Sequence, residues 1–150
     1  MFGMSCEFIS QYIQAGKRDC PEKIMHDLAG SKYEKVRMRV AENEKTPLEI
    51  LQSLAADKSA DVRIAVATNA STPFEIVCKL ASDEDPNVRL GIAEAPGTSL
   101  SILERLTDDG NPYVSCQAKK SLMIARAKEL NSRYFGNSVE FRGPDNLLYA

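Results

Sequence analysis

The chain has 150 residues, of which 43% are hydrophobic and 27% charged, enough apolar content for one water-soluble domain with a real core. No apolar run approaches the roughly 20 residues of a membrane span, and no basic stretch leads into an apolar one at the N-terminus, so a cytoplasmic protein without a secretory signal is expected. The net charge of −2 argues against wholesale nucleic-acid binding, which calls for a basic excess.

In chain order, the first predicted element is an N-terminal cap over residues 1–19, with a helix from Ser5 to Gly16. Its apolar residues Phe8, Ile9, Tyr12 and Ile13 have helical spacing and are expected to cover the helices next in the chain.

Residues 20–111 repeat at an interval of 26. Val36-Arg37, Val62-Arg63 and Val88-Arg89 form one column and continue as Val114-Ser115. Thr46-Pro47 and Thr72-Pro73 form a second, flanked by Cys20-Pro21 and Thr98-Ser99. Leu28, Leu54, Leu80 and Leu106 form a third. Three columns in one register define a repeat architecture, and each copy reads as two helices.

The first helix of a copy opens on a predicted capping box, Thr46-Pro47-Leu48-Glu49 and Thr72-Pro73-Phe74-Glu75, with threonine as N-cap and proline at the first helical position. Apolar residues at Ile50, Leu51, Leu54 and Ala55, matched by Ile24, Met25, Leu28 and Ala29 and by Ile76, Val77, Leu80 and Ala81, make one stripe. The second helix starts at Ser59, Asp85 or Asn111, all good N-caps. It buries Val36, Val40, Val62, Val66, Val88 and Ile92, with Met38, Ile64, Leu90 and Cys116 as a further apolar column. Asn43 and Asn69 are expected to close two of these helices in the left-handed conformation that asparagine tolerates. Ala95-Pro96-Gly97 stops the third by other means.

From Pro112 to about Asn131 nothing breaks the last helix, so residues 112–131 are read as a long C-terminal cap. Residues 132–150 are read as an irregular tail, rich in aromatic residues at Tyr134, Phe135, Phe141 and Tyr149. Such rings pack back on the last copy or dock on another chain, including another copy of this one. Charge divides in the same way: −5 over residues 36–111 and +3 over residues 112–150.

The unit TPxEIL-x-x-LAxD followed by DVRxAVAxN resembles the leucine-rich repeat variant family and, in form, HEAT-like repeats. The resemblance covers about residues 20–118 and is strongest from Thr46 to Ala93. It implies a right-handed, all-α superhelix of four two-helix copies, an α-solenoid with capping helices at both ends, in which one helix of each pair can be 3₁₀. Some relatives carry an iron–sulfur cluster on a cysteine-rich N-terminal segment; this sequence has no such segment, and Cys6 and Cys20 do not replace it. HEAT-like repeats also carry an Asp–Arg ladder between turns. The resemblance implies one here at Asp57, Arg63, Asp83 and Arg89, broken at the ends where Ser31 and Ser115 stand.

Candidate chemistry is sparse. Cys6, Cys20, Cys78 and Cys116 form no Cys-x-x-Cys pair, so no metal or cofactor is expected. Cys116 falls in a core column and Cys78 in a solvent column, with His26, Gln52 and Glu104. His26 is the single histidine and lacks an evident partner, so no catalytic residue is assigned. The arginine row could track phosphates, as in HEAT-like alkylpurine DNA glycosylases, which are similar in architecture. The accompanying aspartates, the acidic body and the lack of tryptophan favour a structural row.

The expected function is therefore a non-catalytic interaction module with a protein partner. Its contact surface is read as the variable second-helix columns Arg39, Ala65, Gly91 and Gln117 together with Glu42, Thr68, Glu94 and Lys120. Ala65 and Gly91 are expected to leave room for a partner. A nucleic-acid-processing protein and a self-associating adaptor, acidic body against basic cap, are the alternatives.

Overall fold

The computed structural model describes residues 5–135. Among these residues the chain is all-helical, without strands: α1 (Cys6–Ala15), α2 (Glu22–Ala29), α3 (Glu34–Ala41), α4 (Leu48–Leu54), α5 (Ala60–Thr68), α6 (Phe74–Leu80), α7 (Pro86–Glu94), α8 (Leu100–Leu106) and α9 (Pro112–Phe135). All nine are α-helices; the 3₁₀ form that the family resemblance allows does not occur in them. No helix among the described residues is long and apolar enough to cross a membrane.

Helices of seven to ten residues are marginal alone in water, so packing has to hold them. α3 packs on α1 and α5, α5 on α7, and α7 on α9, which makes one layer. α2, α4, α6 and α8 lie against it, each touching the helices before and after it in the chain. Val36, Val40, Val62, Val66, Val88, Ile92 and Val114 point inward from the first layer. Met25, Leu28, Leu51, Leu54, Leu80, Ile102 and Leu106 meet them from the second. Each such side chain is worth about 1.5–3 kcal/mol of burial.

Two local expectations fail, each for a physical reason. Thr46 and Thr72 do not cap the helices that follow them. Pro47 and Pro73 are the N-cap residues, at ψ 149° and 146°, with no side-chain cap bond. The threonine hydroxyls instead donate backward, to the carbonyls of Val40 and Val66 at 2.6 Å, and Thr98 does the same to Ile92 at 2.7 Å. Each adds a second donor to a last-turn carbonyl that also accepts the N–H of Asn43, Asn69 or Ala95. A residue before proline is pushed to extended backbone, and here its hydroxyl turns back to the preceding helix.

Asn43 and Asn69 do not adopt the left-handed conformation. Gly97, at φ 90°, is the one residue with positive φ among those described. The asparagines act through their side chains. Asn69 Nδ2 donates to the carbonyls of Ala41 at 2.6 Å and Asn43 at 3.0 Å, while its Oδ1 accepts from the Ser71 N–H at 2.7 Å. Asn43 repeats the pattern with Ala15, Lys17 and Lys45, each at 3.0 Å.

The ends also differ from expectation. On α1, Phe8 and Tyr12 pack inward, Phe8 edge-on to Tyr33, whereas Ile9 and Ile13 are exposed. One helix face reaches α3; the neighbouring stripe is covered by no helix among the described residues. α9 runs to Phe135, past the expected stop near Asn131, so Tyr134 is helical and exposed. The rest of the expected irregular tail, with Phe141 and Tyr149, lies outside the described residues.

Candidate interaction surface

The arginine row is wired into the fold. Arg37 grips Asp57 with Nε at 2.6 Å and Nη2 at 2.9 Å. Arg63 holds Asp83 at 2.7 and 2.8 Å, and Arg89 holds Asp109 at 2.7 and 3.0 Å. Each arginine also donates Nη1 to the backbone carbonyl six residues earlier, that of Ser31, Asp57 or Asp83. Each aspartate accepts the N–H two residues on, from Ser59, Asp85 or Asn111. The ladder is therefore not broken at its ends. Ser31 supplies the carbonyl to Arg37 and its Oγ accepts the Tyr33 N–H at 3.3 Å, so serine serves there, and Asp109 is satisfied by Arg89 without an arginine at 115.

Burial alone would push the carboxyls of Asp57 and Asp83 up, but the bonds from Arg37 and Arg63 and from the backbone N–H groups outweigh it and hold both below the usual carboxylate value. The bond from Arg89 lowers Asp109 against a smaller opposing effect of burial. All three nitrogens of each guanidinium donate within the molecule, which leaves the row poorly placed to track phosphates.

The eight residues expected to meet a partner divide. Glu42, Thr68, Glu94 and Lys120 are exposed and fall in a row across the C-terminal ends of α3, α5 and α7 and the equivalent point of α9. Gln117 is half-buried beside them and donates to Ser121 Oγ at 3.2 Å. Arg39 is half-buried, ion-paired with Glu42 at 3.0 Å and lying over the Tyr12 ring.

Ala65 is buried rather than presented to a partner, and Gly91 is half-buried. Ala65 is 6% exposed and belongs to the core. A Cβ on Gly91 would come within 3.0 Å of Ile64 Cγ2, so glycine there lets α7 approach α5. The small side chains accommodate neighbouring helices rather than a partner.

The exposed row runs into a cleft of about 610 Å³ between the turn after α7 and one face of α9. Glu94, Lys120 and Lys128 are at its charged rim, and Leu103, Ile124 and Ala125 contribute apolar surface. Ile124 and Lys128 escaped the sequence reading because they lie beyond the point where the 26-residue pattern stops. A smaller cleft of about 390 Å³ opens on the other side of the same turn, with Phe74 and Val77 in its wall.

The thiols are redistributed relative to expectation. Cys116 is exposed, and among the described residues no helix follows α9 to cover that column. Cys78 is half-buried against the core rather than in solvent. Cys20 is buried, and burial pushes its thiol pKa up despite nearby Lys17. His26 is exposed. Among the described residues no group of three or more His, Cys, Asp or Glu is placed to hold a metal ion.

No family model, curated protein or solved structure matches the chain. The functional reading therefore rests on the surface itself.

Proposed function

We propose that the helices form a right-handed α-solenoid of four 26-residue copies, of the leucine-rich repeat variant or HEAT-like kind, capped by α1 and α9, and that it is a non-catalytic module that binds another protein in the cytoplasm. In such an array the inward columns are constrained by stacking, while the outward ones are free to differ from copy to copy. The observation that carries the reading is the row Glu42, Thr68, Glu94 and Lys120, which is exposed, changes charge along its length and ends in the apolar-floored cleft beside α9. An apolar floor with a charged rim is the usual composition of a protein-binding patch. The recurring Arg–Asp, Asn and Thr bonds support the stacked arrangement, since each kind returns at the same position of successive copies.

The test is charge reversal. Partners are captured from the native cell extract with the full chain, and the principal one is then titrated calorimetrically against the wild type and a Glu42→Lys/Glu94→Lys variant. Binding is expected to weaken about tenfold or more. Unchanged affinity would remove this row from the interface.

A further inference from the structure

The outer face of α9 carries a second pattern. Tyr113 and Lys120 are seven apart, and Met123, Ala127, Leu130 and Tyr134 follow in steps of three and four. Tyr113, Met123, Leu130 and Tyr134 are 75%, 62%, 54% and 71% exposed. This is the spacing of a coiled-coil seam, interrupted by Lys120 and without a facing helix among the described residues. Lys119, Arg126 and Arg133 line one side of the seam at intervals of seven; Gln117, Ile124 and Asn131 line the other. A shallow apolar groove of about 390 Å³ runs along it, lined by Lys119, Leu122, Met123, Arg126, Ala127 and Leu130. α5 and α7 end at Thr68 and Glu94, equivalent to Lys120, so α9 continues for a further 15 residues, about 22 Å.

We propose that this face binds an acidic amphipathic helix of another protein. The alternation of three and four residues fits a helix packed by knobs into holes, and a basic row beside an apolar seam is met by carboxylates on the facing helix. Arg126 and Arg133 already contact Glu104 and Glu129, but those pairs are more than half exposed and are readily exchanged for a partner's carboxylates.

A second copy of this chain fits less well. Antiparallel seams would set the basic row against itself, and parallel seams would set Lys119 and Arg126 against Ile124 and Asn131. An anionic bilayer favours a wider apolar face, whereas this seam is narrow. The face is distinct from Glu42, Thr68 and Glu94, with Lys120 shared, so it goes beyond the function proposed above.

The experiment uses the full chain and two synthetic helical peptides about four heptads long, with leucine at the seam and either glutamate or lysine on both flanks. Binding is read by fluorescence anisotropy at low and raised salt. The acidic peptide is expected to bind at least about tenfold more tightly than the basic one, with an affinity that falls as salt rises. Leu130→Glu is expected to weaken it about tenfold or more, and Arg133→Glu to shift preference toward the basic peptide. Glu42→Lys/Glu94→Lys adds positive charge near Lys120 and is expected not to weaken it, which separates this surface from the row.

Equal binding of both peptides overturns the proposal, as does indifference to Leu130→Glu. Three other results assign the seam elsewhere and overturn it too. One is Leu130-dependent dimerisation in sedimentation, meaning a second copy. Another is Leu130-dependent binding to phosphatidylserine vesicles with no peptide preference, meaning a membrane. The third is no peptide binding together with a melting temperature lowered by Leu130→Glu, meaning that residues 136–150 cover the face.

Discussion

The turn after α5 and the turn after α7 begin with nearly the same backbone and are wired differently. Asn69 leaves α5 at φ −72°, ψ 126°; Ala95 leaves α7 at φ −63°, ψ 128°. Asn69 then clamps two carbonyls of the preceding copy and its own turn. Ala95 has no side-chain polar group to do either, and the chain passes through Pro96 and the positive φ of Gly97. Clefts open on both sides of that unclamped turn. The contrast teaches that the path of the backbone and the ties across copies are separable. The largest cleft borders the turn without the tie, where the proposed binding row ends, whereas the cleft beside the clamped Asn43 is smaller, at about 220 Å³.

The largest effect should come from the framework shared by both turns. Asp83→Ala leaves Arg63 half-buried without its carboxylate, and is expected to cost about 3–5 kcal/mol in urea denaturation. The same framework sets the acid limit. Asp57, Asp83 and Asp109 have folded pKa values below the unfolded value of about 3.9, so their stabilisation is full above it and is lost as pH falls through the depressed values. The melting temperature should therefore drop below about pH 4, and drop less steeply in Asp83→Asn, which has one fewer of these groups to protonate.

A middle effect should come from making the clamped turn resemble the open one. Asn69→Ala takes the Nδ2 donor from the Ala41 carbonyl and leaves that of Asn43 only the Thr46 N–H, for an expected cost of about 1–3 kcal/mol. The smallest should come from the reverse change. Ala95→Asn places a carboxamide on a backbone that already has the right conformation, within register of the carbonyls of Ala67 and Asn69. It is expected to add about 0.5–1.5 kcal/mol, seen as a higher denaturation midpoint.

Much of the helical fold is legible in the sequence, because burial follows local periodicity. Leu28, Leu54, Leu80 and Leu106 share one column and are all buried. The ties are less legible. Arg37 finds Asp57 20 residues on, and Asn69 finds Ala41 28 residues back, distances that a helical period does not encode. Thr46 reads as an N-cap because capping rules describe what a hydroxyl does to the helix ahead, whereas this one serves the helix behind. At the candidate surface, the charged positions Glu42, Glu94 and Lys120 are readable as solvent-facing. Ala65 and Gly91 are not, since a small residue leaves space for a neighbouring helix and for a partner alike. The cleft wall at Ile124 and Lys128 lies where the pattern ends, so no column points to it.

The most direct test of the role of these ties is residue-resolved amide hydrogen exchange on the full chain, comparing three equivalent threonines. The Thr46 and Thr72 N–H groups reach the carbonyls of Asn43 and Asn69 at 3.0 Å in clamped turns, and the Thr98 N–H reaches that of Ala95 at 3.4 Å in the open one. Exchange at Thr98 is expected to be about tenfold or more faster than at Thr46 and Thr72, and to slow in Ala95→Asn. Equal protection at all three, unmoved by that substitution, would contradict the claim that the asparagine side-chain ties hold their turns closed.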